Sequence, residues 1–239
     1  MQEKVDLKLD WCSYKAAKYA VEHWHYSRRM PKSKLAKLGV WENNKFIGCV
    51  IFGVGATANI GEPYNLEGNR ICELVRIALK NHVSNVSRIV KIAISILKKG
   101  MPKIALVVSY ADSQQNHIGS IYQAGNWIYT GKTGGDIEIL IKGRWYHRRG
   151  AFDVLGNSSR KGKKTRKTGC KYKYLYPLTK QMRKQIEPLA QPYPKRPASI
   201  DNDAPSNQPG EGGANPTAGL QFIDKGKHGT EAGQTTNGN

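Results

Sequence analysis

Two apolar segments with an amphipathic helix between them limit the fold of this chain more than any other feature of its sequence. Residues 71–79 (ICELVRIAL) and 103–110 (KIALVVSY) are rich in β-branched and large apolar side chains, as strands covered on both faces are. Residues 86–99 (VSRIVKIAISILKK) repeat apolar side chains at helical spacing, and Ser84 or Ser87 is expected to cap the start of this helix. Strand, helix and strand in this order predict a βαβ unit whose two strands run parallel.

Further elements extend this unit on both sides. Apolar residues at helical spacing predict a helix over residues 13–24 with Ser13 as its N-cap. The apolar runs 38–41 and 46–52 flank two asparagines, which tolerate the left-handed conformations of a tight turn and so predict an antiparallel hairpin. The other predicted elements are a helix over 115–124 and strands over 127–130 and 137–141. We therefore expect an α/β fold in which a mixed sheet is flanked by helices.

Basic residues are concentrated in one segment. The chain has 38 Lys and Arg against 18 Asp and Glu, a formal net charge of +20, and residues 142–196 hold 17 basic but only two acidic side chains. Such density indicates a polyanionic partner, and nucleic acid is the leading candidate. We expect three parts: a catalytic domain over 1–153, a basic DNA-binding C-terminal extension over 154–196, and a disordered tail rich in Gly, Pro and Asn over 197–239.

The residues predicted to bind DNA phosphates lie in the densest part of the basic segment. They are Arg160, Lys161, Lys163, Lys164, Arg166, Lys167, Lys171 and Lys173. Tyr172, Tyr174 and Tyr176 are interleaved with them and are expected either to stack on a displaced base or to pack on the core. The Gly- and Pro-rich stretch 53–69 is expected to be a binding loop in which Tyr64 wedges into the DNA or closes the pocket.

Neither a membrane span nor a disulfide framework is expected. No apolar run approaches the length that crosses a bilayer, and the first ten residues lack the apolar core of a signal peptide, so we expect a cytoplasmic protein without a membrane partner. The four cysteines are scattered without a CxxC pair, which predicts reduced thiols rather than disulfides or a cysteine zinc site. They are Cys12, Cys49, Cys72 and Cys170.

The succession of strand, helix, strand and helix around the βαβ unit resembles the central motif of the GNAT superfamily of N-acyltransferases. Four short motifs sharpen the resemblance. They are Glu73-Leu74-Val75-Arg76, Ser109-Tyr110-Ala111-Asp112, Gly119-Ser120-Ile121-Tyr122-Gln123-Ala124 and His25-Tyr26. With these motifs, residues 20–150 resemble the Mom family of phage DNA-modification proteins. The resemblance implies a transferase, acting in the host cytoplasm, that converts adenine in duplex DNA to a carbamoylmethyl derivative at its exocyclic nitrogen and so shields phage DNA from host restriction enzymes.

The resemblance also implies catalytic roles for Arg76, Asp112 and Tyr122. Asp112 is expected to accept a proton from the adenine amine, which is a poor nucleophile. Tyr122 is expected to remain protonated and to donate to a leaving group or to the base edge. Arg76 is expected to hold a carboxylate or phosphate and to stabilise developing negative charge. Because a stacked and paired adenine cannot present its amine, the base is expected to be flipped out of the helix.

Cofactor predictions start from a departure from the GNAT pattern. Acyltransferases of this superfamily carry a Gly-rich turn after the first strand of the motif, where backbone N–H groups bind the pyrophosphate of coenzyme A, but residues 81–88 contain no glycine. An acyl-CoA such as acetyl-CoA is expected to use donors that remain in this turn, which are Ser84, Asn85, Ser87 and Arg88. Iron is a second candidate cofactor, with His23 and His25 as ligands if that segment is extended. On a helix the two histidines diverge, and they are then expected to contact a base or an interface instead. A carbamoylmethyl product needs a new bond from nitrogen to a methylene carbon and an amide nitrogen. Acetyl transfer supplies neither, so a small-molecule donor that supplies both is expected.

Two other functions stay open at this stage. The first is a GNAT acyltransferase that acts on protein, tRNA or a small molecule, and its product would distinguish it. The second is a non-catalytic DNA-binding protein on a degenerate transferase scaffold, which the missing Gly-rich turn favours. In that second case, an Asp112→Asn substitution would leave every phenotype intact.

Overall fold

The computed structural model describes residues 5–55, 59–156 and 161–195. The strands are β1 (Leu7–Trp11), β2 (Leu35–Glu42), β3 (Lys45–Gly53), β4 (Ile71–Leu79), β5 (Leu106–Asp112), β6 (Ile128–Lys132), β7 (Ile137–Ile141), β8 (Arg144–His147), β9 (Thr165–Lys167) and β10 (Lys171–Pro177). The helices are α1 (Tyr14–Trp24), α2 (Val86–Gly100), α3 (Ser120–Ala124), α4 (Arg148–Leu155) and α5 (Lys180–Ile186).

Seven strands form the main sheet in the order β1-β2-β3-β4-β5-β10-β6. Every neighbouring pair is antiparallel except β4 and β5, which run parallel from the pair Ile71 and Leu106 to the pair Leu74 and Ser109. Their pairing ends there, although β4 continues for five residues and β5 for three. The two strands therefore part at their C-terminal ends, which is where open α/β sheets place their ligands.

Helices cover both faces of this sheet, as the alternation of side chains along β3 shows. Cys49 and Ile51 pack against the small buried residues of α1, whereas Val50 and Phe52 point to the other face and share a core cluster with α2. The predicted mixed α/β sheet flanked by helices is therefore confirmed. Helix α1 also begins as expected, because the Ser13 hydroxyl oxygen accepts a hydrogen bond from the Ala16 N–H at 3.1 Å.

Three local predictions differ from the structure. Helix α2 has Asn85 rather than Ser84 or Ser87 at its N-cap position, without a capping side-chain bond. The helix expected over 115–124 is shorter, because Asn116 and Gly119 both have left-handed backbones, with φ of 56° and 84°, that interrupt a right-handed helix. The strand predicted over 137–141 exists as β7, but it belongs to a second sheet with the order β8-β7-β9.

The basic segment contributes a strand to the main sheet. Strand β10 lies between β5 and β6 and is antiparallel to both, and its residues Tyr174 and Leu175 are fully buried. Strand β10 of the predicted extension therefore shares a core with strands of the predicted first domain, while the DNA-binding role of the extension stays a prediction. The tail expected over 197–239 lies outside the described residues.

The second sheet has a small core of its own. Ile139 and Ile141 of β7 pack against Ala151 of α4, because one face of this short sheet must be covered by a helix. Within the three described ranges, no helix has the length and apolar character needed to cross a membrane.

Candidate active site

A small pocket of about 60 Å³ opens where β4 and β5 part. Arg76 of β4, Asp112 at the end of β5 and Tyr122 of α3 all line this pocket. The structure therefore brings the three residues with predicted catalytic roles to one place, as parallel strands that end at the same edge of a sheet should do.

Arg76 follows an irregularity in the pairing of β3 with β4, which falls between the pairs of Ile51 and Phe52. Its Nη1 donates a hydrogen bond to the Val75 carbonyl oxygen at 2.7 Å, and its Nε and Nη2 lie 3.4 Å from the Arg29 carbonyl oxygen. Burial lowers the pKa of Arg76, while Tyr26 and Glu73 act to raise it. An arginine keeps its charge under such conditions, so the pocket holds a fixed cation.

Asp112 is held by the turn that follows β5. One of its carboxylate oxygens accepts a hydrogen bond from the Gln114 N–H at 3.0 Å, and its side chain caps the short 3-10 turn Ser113–Gln115. This contact orients the carboxylate and uses only part of its acceptor capacity, because an ionised carboxylate has about four lone-pair positions. Asp112 is half-buried and faces both the small pocket and the larger space outside it.

Tyr122 is only 7% exposed and belongs to the main core cluster. The Ser109 Oγ lies 3.0 Å from the Leu74 carbonyl oxygen and 2.8 Å from the Tyr122 hydroxyl. A carbonyl only accepts hydrogen bonds, so Ser109 donates to Leu74 and accepts from Tyr122. Tyr122 is thus hydrogen-bonded to Ser109 in the wall of the pocket, and its role as a proton donor stays a prediction.

His25, for which the sequence left open a metal-binding role or a contact with a base or an interface, lines the small pocket. It is 8% exposed, and its Nδ1 lies 2.8 Å from the Ser27 Oγ and 3.1 Å from the Ser27 backbone nitrogen. Burial, Arg76 and His117 lower the pKa of His25 to about 3, so the ring is neutral. Because the Ser27 N–H can only donate, Nδ1 is the acceptor and Nε2 carries the hydrogen.

The two histidines predicted as iron ligands are not brought together. His23 is exposed, stacks on Tyr19 and lies with its Nδ1 2.8 Å from the Tyr19 carbonyl oxygen, whereas His25 is buried in the small pocket. The Nδ1 of His25 is occupied by Ser27, and Nε2 binds a metal only after losing its hydrogen. Among the described residues, no group of three or more His, Cys, Asp and Glu is arranged to hold a metal ion, so an iron site does not fit them.

A larger cavity of about 550 Å³ adjoins the small pocket. The two share Tyr26, Arg76, Tyr110 and Asp112 in their walls. The far wall comes from the second sheet and from the segment between β9 and β10, with Asp136, Glu138, His147, Thr168, Gly169 and Lys171. Ligand pockets usually measure about 300–1,000 Å³, whereas about 60 Å³ is the space of a few water molecules. The large cavity is therefore the part that can hold a base.

Two aromatic residues missed by the sequence reasoning stand at this junction. Tyr26 is 47% exposed, with its ring 4.3 Å from that of His25 and 6.1 Å from that of His117 between centroids. Tyr110 is half-buried, and burial together with Glu73 raises the pKa of Tyr110 to about 12, so its hydroxyl stays protonated. The His25-Tyr26 motif was the available signal for Tyr26.

A second missed feature is a hydrogen-bonded pair, His147 and Asp136, on the far wall of the large cavity. The His147 Nε2 and an Asp136 carboxylate oxygen are 2.5 Å apart, and the other Asp136 oxygen accepts a hydrogen bond from the Ile137 N–H. No sequence signal could have placed this pair at the site, because β7 and β8 form a sheet whose position depends on contacts distant in sequence.

The turn predicted to bind the coenzyme A pyrophosphate is already occupied by a carboxylate of the chain. Glu42, at the end of β2, accepts hydrogen bonds from the Val83 N–H at 2.9 Å and from the Ser84 N–H at 2.7 Å. Of the predicted contact residues, Ser84 is buried, whereas Asn85 and Arg88 are exposed. Ser87 lies in the first turn of α2, half-buried. A pyrophosphate therefore does not fit this turn as the sequence suggested.

The predicted DNA-binding residues differ in how exposed they are. Lys161, Lys164, Lys167 and Lys171 are exposed, Lys163 is half-buried, and Arg160 lies outside the described residues. Arg166 donates to Glu138 at 2.7 Å and covers the Trp145 ring at 4.5 Å. Lys173 lies 5.0 Å from the centre of the Tyr64 ring. The last two thus have intramolecular partners.

The tyrosines of the basic segment pack on the core rather than on a displaced base. Tyr174 is fully buried, and Tyr172 and Tyr176 are half-buried against the main cluster. Tyr64 is also buried, in a cluster with Leu106 and other residues. The predicted wedging role of Tyr64 is therefore wrong for this structure, because its ring is already packed inside the protein.

Residues 6–195 match the Mom protein family. The chain is 28% identical over 205 residues to the protein named methylcarbamoylase mom of Escherichia phage Mu. The aligned region covers 80% of this chain and 84% of that protein. Among solved structures it is similar to aminoglycoside acetyltransferase AAC(6')-Ib in complex with coenzyme A and kanamycin, with 8% identity, 76% of this chain and 99% of that chain covered, and a TM-score of 0.47. It is also similar to Arabidopsis thaliana NAA60 in complex with a bisubstrate analogue, with 8% identity, coverages of 72% and 98%, and a TM-score of 0.46. Because the family match spans residues 6–195, the chain belongs to the Mom protein family.

Proposed function

We propose that this protein is a transferase that modifies adenine in double-stranded phage DNA, acting in the host cytoplasm. It places a carbamoylmethyl group on the exocyclic nitrogen, and the modified DNA resists host restriction enzymes. Membership of the Mom family and the name of the phage Mu relative support this activity. The observation that carries the proposal is that Arg76 and Asp112 line both the small pocket and the large cavity.

The adenine would occupy the large cavity and present its amine to the small pocket. A purine is several times larger than a water molecule, so about 60 Å³ cannot hold it, while about 550 Å³ can hold a base and part of its sugar. The target adenine must leave the stack to enter, and an exposed aromatic ring at the mouth would stabilise it there. Tyr26 provides such a ring, and its position between the two spaces fits that role.

Asp112 and Arg76 supply the chemistry at the amine. As the nitrogen forms its new bond to the donor's methylene carbon, the bond from that carbon to the leaving group breaks and the leaving group takes the electron pair. The N–H proton goes to the Asp112 carboxylate and from there to the departed group, so that the carboxylate is regenerated. Arg76 stabilises the negative charge that develops on the leaving group, because it remains a cation within the pocket.

The neutral His25 would position the donor rather than move a proton. Its Nε2–H is a fixed hydrogen-bond donor in the wall of the small pocket, and an amide carbonyl such as that of a carbamoylmethyl group is a matching acceptor. The donor is therefore a small molecule that carries a carbamoylmethyl group on a leaving group. Neither iron nor a coenzyme A thioester takes part in a step here, because the described residues do not fit either one.

The exposed lysines would hold the DNA backbone next to the cavity. Lys171 lines the cavity itself, and Lys161, Lys164 and Lys167 are exposed in the preceding segment. Contacts of this kind bind phosphates without reading sequence. They would bring a backbone within reach while the cavity receives the base.

The test is the product in host DNA. Bacteria that express the full chain are grown, and their DNA is digested to nucleosides. The digest is searched by mass spectrometry for deoxyadenosine that carries the added mass of a carbamoylmethyl group. We expect the modified nucleoside with the wild type and with Arg70→Gln, which changes an exposed arginine, but not with Arg76→Gln. Unmodified DNA from cells that contain soluble wild-type protein would refute the proposed function.

A further inference from the structure

Glu42 occupies the turn that leads into α2. Its side chain comes from the end of β2, and its two carboxylate oxygens are bonded to two successive backbone N–H groups, those of Val83 and Ser84. Glu42 is only 6% exposed. Val83 and Ser84 precede Asn85, the N-cap residue of α2, and successive N–H groups of such a turn bind anions together with the dipole of the helix that follows. In this chain a side-chain carboxylate is the anion.

The carboxylate is ionised at neutral pH. Burial acts to raise the pKa of Glu42, but the hydrogen bonds from Val83 and Ser84 and the proximity of His82 outweigh burial and lower it. A phosphate group brought to the same turn would meet a buried negative charge at short range, and it would find two of the N–H donors in use. Both effects disfavour a second anion there.

We propose that Glu42 replaces the coenzyme pyrophosphate at this turn, and that the chain therefore takes its transferred group from a donor that makes no phosphate contact at the start of α2. The existence of a donor rests on the proposed function, whereas the closure of the turn rests on Glu42 alone. The small molecule then has to be recognised by the walls of the small pocket and the large cavity, where β4 and β5 part.

The experiment follows the backbone amide resonances of the turn in the full-length, ¹⁵N-labelled protein. Two probes are titrated separately, coenzyme A and inorganic pyrophosphate, up to millimolar concentration. We expect the amide signals of Val83, Ser84 and Ser87 to stay unchanged with both. Shifts with coenzyme A that are confined to residues of the large cavity, such as Tyr110, also support the proposal, because the adenine of that probe fits a cavity made for a base. Saturable shifts of Val83 and Ser84 with either probe would overturn it.

The Glu42→Ala variant provides the complementary measurement. Removing the carboxylate releases the two N–H donors, so pyrophosphate should shift Val83 and Ser84 in this variant and not in the wild type. Glu42→Gln keeps a hydrogen-bond acceptor without the charge and should respond less than Glu42→Ala. If Glu42→Ala does not fold, the wild-type titration decides the question without it. DNA modification is measured separately, so unmodified DNA counts against the proposed function, and shifted turn amides count against the inference about Glu42.

Discussion

In the small pocket, backbone groups that can only donate or only accept a hydrogen bond determine which atoms of His25 and Tyr122 carry a hydrogen. The Ser27 N–H can only donate, so it makes Nδ1 of His25 an acceptor. The Leu74 carbonyl can only accept, so Ser109 donates to it and the Tyr122 hydroxyl donates to Ser109. These constraints leave Asp112 as the residue among the predicted three with acceptor capacity for an incoming amine proton.

The burial of neutral His25 predicts a loss of stability in acid. The unfolded chain binds a proton at His25 near pH 6.5, but the folded chain does so only near pH 3. Between these values the unfolded state holds more protons, so the free energy of unfolding falls as the pH falls. We expect a contribution of roughly 1.4 kcal/mol per pH unit between about pH 6 and pH 4.

Urea denaturation from pH 7.5 to pH 4 measures this contribution. The comparison is with His25→Asn, whose side-chain oxygen can accept the Ser27 hydrogen bond but does not titrate. The wild type should lose stability more steeply than the variant as the pH falls below about 6. Equal slopes for the two proteins would mean that His25 is protonated without cost in the fold.

At the scale of elements, the site depends on two strands that part and on a short helix that begins beside them. Helix α3 starts at Gly119, which has a φ of +84°. A Cβ at this position would lie 2.3 Å from a ring carbon of Tyr174. The close approach of backbone and ring holds α3 against β10, and with it Tyr122 against β5.

Gly119→Ala should therefore destabilise the protein strongly. The added Cβ meets both the strained backbone and the buried ring of Tyr174, and we expect a loss of at least about 2 kcal/mol in the free energy of unfolding. Gly134→Ala is the matched control, because a Cβ there meets nothing within 4 Å. Chemical denaturation of both variants checks this, and equal stabilities would show that the packing of α3 on β10 is looser than described.

The sequence predicted those elements whose pattern is local. The hairpin of β2 and β3, the βαβ unit and its amphipathic helix follow from the period of their apolar residues, and the meeting of Arg76 with Asp112 follows from the parallel pairing. Strand β10 was not predicted, because its tyrosines stand among lysines and its place between β5 and β6 depends on residues distant in sequence. The second sheet, and with it the far wall of the large cavity, was missed for the same reason.

The sequence predicted the role of a side chain only where that residue belongs to one of the recognised motifs. Nothing local marks Glu42 as the partner of a turn about forty residues later, since the contact arises when the end of β2 meets the turn before α2. The burial of Tyr64 was also beyond the sequence, because a tyrosine in a Gly-rich loop reads as exposed until its partners in the core are known.

In the molecule as a whole, we expect the basic surface to bind DNA and the large cavity to receive the base. Several exposed basic side chains, those of Lys161, Lys164 and Lys167, belong to the segment leading into β10, and Lys171 lines the large cavity. A polyanion attracted to this segment would lie at the mouth of the site. Affinity for DNA should then depend on these lysines and fall with salt concentration, whichever base occupies the cavity.

Replacing four of these lysines tests this arrangement. The variant changes Lys161, Lys164, Lys167 and Lys171 to Ala, and a control of equal charge changes four exposed lysines on the helices, Lys15, Lys91, Lys98 and Lys99. Each lost phosphate contact lowers the slope of log affinity against log salt by about 0.9, so we expect the slope of the first variant to fall by about 3 to 4. Fluorescence anisotropy with duplex DNA measures the slope. The same decrease in the control would indicate that the net charge, and not this surface, binds DNA.

We propose that the Asp112 carboxylate, where β4 and β5 part, acts on the adenine amine. The experiment measures the fraction of modified deoxyadenosine in DNA from cells that express Asp112→Asn. The matched control is Asp10→Asn, which changes an exposed aspartate. A general base contributes about 10²- to 10⁴-fold to a rate, so we expect Asp112→Asn to lower the modified fraction at least a hundredfold while the purified variant still binds DNA. A modified fraction equal to that of Asp10→Asn would contradict the account.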